Sequence, residues 1–148
     1  MPDSGNEDPW KYLEERFGVG SHDLSNFRLD KISGDYWLHT GTLETELKYQ
    51  TRGIRFLRDM DRGLKPTTYA LQLLGPRISK NVFKVDKREL EKLLAREEMI
   101  EVEEQELEEG YVAIEYDDKI IGCGMYKEGV VSSRIPKGRS EELLVIIG

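Results

Sequence analysis

Near its start the chain sets Trp10, Leu13 and Phe17 three and four residues apart, the spacing of one helix face. Asp8 is placed as N-cap, Pro9 at the first helical position and Gly18 to end the helix. The polar residues Met1 to Asp8 are expected to fray. From Phe27 to Thr40 the apolar positions close up to Phe27, Leu29, then Tyr36, Trp37 and Leu38, broken at Ser33–Gly34–Asp35. That pattern predicts two short strands around a turn. Residues 42–62 fit two readings: Leu43 and Leu47 suit a short helix, whereas Ile54, Phe56 and the arginines around them suit a strand or a helix.

Gly63–Leu64–Lys65–Pro66 reads as a boundary, dividing the chain into 1–62 and 63–148. Thr67 or Thr68 can cap a short helix carrying Ala70, Leu71, Leu73 and Leu74, closed by Gly75–Pro76. Val82 and Phe83 predict a strand over 81–85. Asp86 with Glu89 three residues later forms a capping box for a second helix, with Val85 and Leu90 as its hydrophobic staple. Leu90, Leu93 and Leu94 are its buried stripe. Beyond Gly110 the period falls to two: Val112, Ile114 and Tyr116 alternate with Tyr111, Ala113 and Glu115, a half-buried strand. Asp117–Asp118 and Gly129 supply turns, giving return strands over 119–126 and 130–135. The apolar run 143–147 is expected to close a sheet. Short strands joined by tight turns predict an α+β chain whose second part is a small barrel or pseudo-barrel with two short helices.

At 148 residues the chain suits one ordinary domain or two small units sharing an interface. No stretch approaches the roughly 20 apolar residues of a membrane helix, and the N-terminus lacks the apolar core of a signal peptide. The single cysteine, Cys123, makes neither an intrachain disulfide nor a cysteine zinc cluster. The expectation is a soluble, cytoplasmic protein with no membrane partner.

The net charge of −7 is unevenly spread. Residues 1–47 carry −6, residues 48–88 carry +8, residues 89–118 carry −11 and the last thirty carry +2. Affinity for phosphate depends on local potential, so a +8 segment is compatible with a polyanionic partner despite the overall sign. The equal alternative is that the basic and acidic segments face one another and cancel.

Catalytic patterns are missing from the sequence. His22 and His39 have no metal-ligand spacing to a cysteine or a carboxylate pair. Cys123 sits between Gly122 and Gly124, which suits a small buried residue where backbones approach closely better than a catalytic thiol. There is no Walker loop, no dinucleotide-binding glycine motif and no nucleophile elbow, so no cofactor is expected. The carboxylates of 97–109 read as a solvated acidic face or loop. The basic positions say more. Arg52, Arg55, Arg58 and Arg62 recur at three or four residues; on a strand Arg52 and Arg58 would face together with Arg55 opposed. Lys65, Arg77 and Lys80 flank the short helix, and Lys127, Arg134, Lys137 and Arg139 decorate the C-terminal turns. Such residues on loops suit phosphate contact.

The pieces Lys65–Pro66–Thr67–Thr68, Gly75 with Ser79–Lys80–Asn81, Gly110–Tyr111–Val112, Ile121–Gly122–Cys123–Gly124 and Ile135–Pro136–Lys137–Gly138–Arg139 occur in that order. Together they resemble the PUA-like RNA-binding domain at the C-terminus of Sun/RsmF-type RNA cytosine-5 methyltransferases and in stand-alone archaeal relatives. The resemblance covers roughly residues 60–140. It implies a pseudo-barrel in which Lys65 to Asn81 and the strand-and-loop Arg134 to Arg139 sit against structured RNA, tRNA or rRNA. Lys65, Arg77, Lys80, Arg134, Lys137 and Arg139 would then contact phosphates, with Arg52 and Arg55 extending the track. The catalytic domain of those enzymes has no counterpart here, so the expectation is RNA binding without catalysis, in partnership with a separately encoded RNA-modifying enzyme. The alternative is a protein-interaction adaptor whose surface is the acidic stretch 97–109.

Overall fold

A computed structural model describes residues 8–20, 27–40, 54–60, 63–95, 99–102 and 105–147. The expectations for residues 1–7, for His22, for 41–53 with Leu43, Leu47 and Arg52, and for Arg62 lie outside these residues.

Helix α1 (Pro9–Phe17) begins where the capping residues place it: the Trp10 N–H donates to the Asp8 carboxylate at 2.9 Å. It ends at Gly18, whose φ of 75° is left-handed. The N–H groups of Ser79 and Lys80 donate to the Phe17 carbonyl at 2.9 and 3.2 Å. This contact brings the Ser79 side chain to where a Cβ on residue 18 would stand, so glycine is required there both for conformation and for space.

Strands β1 (Phe27–Ile32) and β2 (Asp35–Thr40) form the expected hairpin, with positive φ at Ser33 and Gly34. They continue into β3 (Ile54–Met60) and β4 (Gly63–Pro66), making an antiparallel sheet of order β1-β2-β3-β4. The β3–β4 pairing crosses the sequence position 62/63. Residues 54–60 are therefore strand, and their register carries a local irregularity. Leu57 pairs with Tyr36 and Arg55 with Trp37, so Phe56 is an extra residue, a β-bulge. Phe56 and Leu57 are consequently both buried, and Arg55 and Arg58 on either side are both exposed. The expectation that Arg55 would oppose Arg58 assumed an unbroken two-residue period, which the bulge removes.

After β4 come α2 (Thr68–Leu74), a 3-10 turn (Gly75–Arg77), β5 (Val82–Lys84), α3 (Lys87–Ala95), β6 (Ile100–Glu101), β7 (Gly110–Tyr116), β8 (Lys119–Lys127), β9 (Val130–Ser133) and α4 (Lys137–Ile147). The capping box of α3 is present in full: the Asp86 N–H donates to Glu89 at 3.0 Å and the Glu89 N–H to Asp86 at 2.8 Å. Strands β5 to β9 form a second sheet of order β5-β7-β8-β9-β6, antiparallel except for β5–β7, curled into a half-barrel. The chain is thus α+β, with four α-helices and two sheets among the described residues. No helix of the described residues is long and apolar enough to cross a membrane.

Two corrections follow from packing. Residues 143–147 belong to α4 rather than to a strand, which gives three helices after residue 63 instead of two, and β9, expected over 130–135, stops at Ser133. β7 is not half-buried either, because Val112, Ala113 and Ile114 are all inaccessible. Ala113 and Cys123 face a core shared with α1, α2, Phe56, Leu57 and Leu64. Val112, Ile114 and Val131 face a second core with α3, Ile135 and Leu143. The half-barrel is the middle layer, covered on both sides.

A candidate nucleic-acid interface between the two sheets

Thr67 joins the first sheet to α2. Its N–H donates to the Phe56 carbonyl at 3.1 Å and its hydroxyl to the Arg55 carbonyl at 2.8 Å, so both bulge carbonyls are satisfied. The same hydroxyl accepts from the Ala70 N–H at 3.1 Å, making Thr67, of the two threonines proposed, the N-cap of α2. The helix then packs between β3 and β8, and Gly122 lets it do so: a Cβ there would lie 2.5 Å from Ile135 and 3.1 Å from the Thr68 hydroxyl. The Arg134 N–H donates to the Cys123 carbonyl at 2.8 Å, pinning the segment after β9 against the same strand.

These ties leave a groove of about 390 Å³ between the β2–β3–β4 face and the segment after β9. Trp37, Pro66, Tyr69 and Pro136 supply apolar walls, and Arg55, Arg58, Lys65 and Arg134 supply four cations. The Arg55 guanidinium lies over the Trp37 ring, 5.3 Å from its centroid, and 3.5 Å from the Asp35 carboxylate. Among the described residues no carboxylate comes within ion-pair distance of Arg58, Lys65 or Arg134. Lys65 stands 6.0 Å from the Tyr111 ring centroid. Burial pushes the Tyr111 hydroxyl up from its ordinary pKa, while the charges of Arg134 and Arg58 pull the other way. Arg134 is held in place: its Nη1 donates to the Ser132 hydroxyl at 3.0 Å and the Ser133 carbonyl at 3.2 Å. Tyr69 is the open wall, 56% exposed.

Of the basic residues singled out from sequence, Arg55, Lys65 and Arg134 meet in this groove. Arg77 lies past the far end of α2, a seven-residue helix about 10 Å long. Lys80 turns away as well, its Nζ donating to the Glu15 carbonyl at 3.3 Å beside a separate hollow that Glu106 and Glu108 also line. Lys137 and Arg139 sit in the first turn of α4 rather than on a strand-and-loop, because the chain turns helical after Pro136, whose carbonyl accepts from the Ser140 N–H at 2.9 Å. Arg139 is ion-paired to Glu142 at 3.2 Å. The contacts proposed from sequence left out Trp37 and Tyr69, and also Arg58, which entered only through its spacing from Arg55. Trp37 pairs with Arg55 across the strands, and recognising the bulge would have placed Arg58 beside them.

The described acidic residues of 97–109, Glu101, Glu106, Glu108 and Glu109, are exposed, and several groups of the stretch also tie it to the rest of the fold. The Gln105 side-chain amide pairs with both the N–H and the carbonyl of Lys84, at 2.9 and 3.1 Å, and so satisfies the open edge of β5. The Glu108 N–H and carboxylate engage the Asn81 side chain at 2.8 and 3.1 Å, and Arg16 donates to the Glu108 and Tyr111 carbonyls. Glu109 accepts from the Glu128 N–H at 2.9 Å. Cys123 is 1% exposed, and burial pushes its thiol pKa up to about 12, leaving it neutral and inert. Among the described residues no group of three or more His, Cys, Asp or Glu gathers as a metal site would need.

No protein-family model matches the chain, and no curated protein matches it to a significant degree.

Proposed function

We propose that this protein binds structured RNA, tRNA or rRNA, through the groove between its two sheets, and that it does so without catalysing a reaction. The observation that carries the reading is the convergence of Arg55, Arg58, Lys65 and Arg134 from three separate strands or segments on one recess walled by Trp37 and Tyr69. Cations neutralise phosphates, and aromatic faces take bases of any sequence. Three of these cations, Arg55, Lys65 and Arg134, are also contacts expected from the sequence; Lys65 lies in a motif resembling the PUA-like domain, and Arg134 immediately precedes another. The α+β architecture with a curled half-barrel is compatible with a PUA-like arrangement, and the reading takes the second part of the chain to be one. A separately encoded RNA-modifying enzyme is the partner it would serve. The alternative, an adaptor role for the acidic stretch 97–109, draws on the exposure of Glu101, Glu106, Glu108 and Glu109, but these do not gather around a recess as the four cations do.

The test is a salt titration of binding to total tRNA, followed by fluorescence anisotropy, with the full chain. Micromolar or tighter binding at about 50 mM salt, weakening steeply with salt, is expected. Arg58→Ala with Arg134→Ala should weaken binding and flatten the salt slope. Arg77→Ala with Lys80→Ala should leave both nearly unchanged. Absence of binding at low salt would overturn the reading.

A further inference from the structure

Resting on that reading, we infer that the groove takes an unpaired stretch of the RNA, with one nucleoside in the recess, and not the face of a duplex. The recess is concave and has apolar walls, whereas a duplex presents phosphates, sugars and base edges and keeps its base faces stacked within. Contact with duplex phosphates uses the cations alone; Trp37, Pro66, Tyr69 and Pro136 around the hollow would be left without a partner. A splayed-out base fills such a hollow and stacks on an aromatic ring or a guanidinium plane. The volume of about 390 Å³ lies toward the small end of the roughly 300–1,000 Å³ typical of small-molecule sites, a size for a single nucleoside. Tyr69 offers its exposed ring, and the Arg55 guanidinium already stacked on Trp37 offers a second plane.

A second hollow of about 450 Å³ shares Arg134 with the first, and Arg16 and Glu109 line it as well. Its apolar walls are Tyr12, Met60, Leu64, Tyr111 and Met125. Lys65, which lines the first hollow, stands over Tyr111, which lines the second. Lys65 and Arg134 therefore occupy the ridge between two nucleoside-sized recesses, where a chain passing from one to the next must place its phosphate. Arg134 is already fixed by Ser132 and Ser133, so little of its rotamer freedom is lost on binding. The site fits two consecutive unpaired nucleotides around one phosphate.

Trp10 and Trp37 are the two tryptophans of the chain, so Trp10→Phe leaves Trp37 as the reporter. The full-length variant is titrated with hexauridylate and with a short blunt RNA duplex at about 50 mM salt. Emission of Trp37 and competition with labelled tRNA are followed together. Should Trp10→Phe fold poorly, the difference between the wild type and Trp37→Phe isolates the same signal. The inference expects hexauridylate to shift Trp37 emission saturably and to displace tRNA, the duplex to do neither, and Tyr69→Ala to weaken hexauridylate binding about fivefold or more. Duplex binding as tight as single-strand binding, or tRNA binding with no Trp37 response to hexauridylate, overturns the inference while leaving RNA binding intact. Failure of tRNA itself to bind removes the underlying reading as well.

Discussion

Cys123 and Gly122 show how little space separates the core from the groove. The Cys123 thiol is buried and neutral, with its pKa raised to about 12 from an ordinary value near 9. In the unfolded chain it ionises first as pH rises, so the folded state then holds more protons than the unfolded one. Stability is accordingly full below pH 9 and falls between about pH 9 and 12, by at most about 1.4 kcal/mol per pH unit from this group. Urea unfolding at stepped pH should show that decline, and Cys123→Ala should lessen it. Iodoacetamide should leave the native thiol untouched at pH 8 and label it on unfolding; fast native labelling would contradict the burial. At Gly122, an added methyl meets Ile135, which is inaccessible and cannot retreat freely. Gly122→Ala should cost about 1–3 kcal/mol by overpacking. It should also weaken RNA binding, since Ile135 lies between Arg134 and Pro136 and both line the groove. Thermal unfolding and tRNA anisotropy on the same sample check the pair.

Among the elements, the join between β3 and α2 is the one on which the site depends. Thr67 satisfies both bulge carbonyls and caps the helix, so Thr67→Ala should cost about 1–2 kcal/mol, read as a lower Tm, and Thr67→Ser should restore most of it. Features written locally were legible in the sequence: the Asp8–Pro9 start, the Asp86–Glu89 box and the hairpin at Ser33–Gly34 each need only residues a few positions apart. The bulge at Phe56 was not, because it arises from pairing with β2 and nothing in Arg55-Phe56-Leu57-Arg58 alone distinguishes it from a helix turn. Helix α4 was misread for a related reason. A run such as Leu143–Leu144–Val145–Ile146 fits a buried strand or a helix equally, and packing of Leu143 into the core beside α3 decides it.

For the molecule as a whole, charge bookkeeping along the chain located the basic half of the site without its shape. The segment 48–88 does supply Arg55, Arg58 and Lys65, but α2 carries Arg77 and Lys80 away from them, and Arg134 arrives from a segment with little net charge. The aromatic walls were invisible to a search for cations. A protein of net charge −7 should therefore bind RNA through a small set of contacts. With Lys65 and Arg134 sharing one phosphate and Arg55 and Arg58 meeting one each, log affinity should fall with log salt at a slope of about −2, and Arg58→Ala alone should reduce that slope by about 0.7. The most direct test of where the RNA lies is ultraviolet cross-linking of the full chain to tRNA, with the linked peptides identified by mass spectrometry. Cross-links on the peptides carrying Trp37 and Tyr69 are predicted. Cross-links confined to α3 or to residues 97–109 would contradict the account.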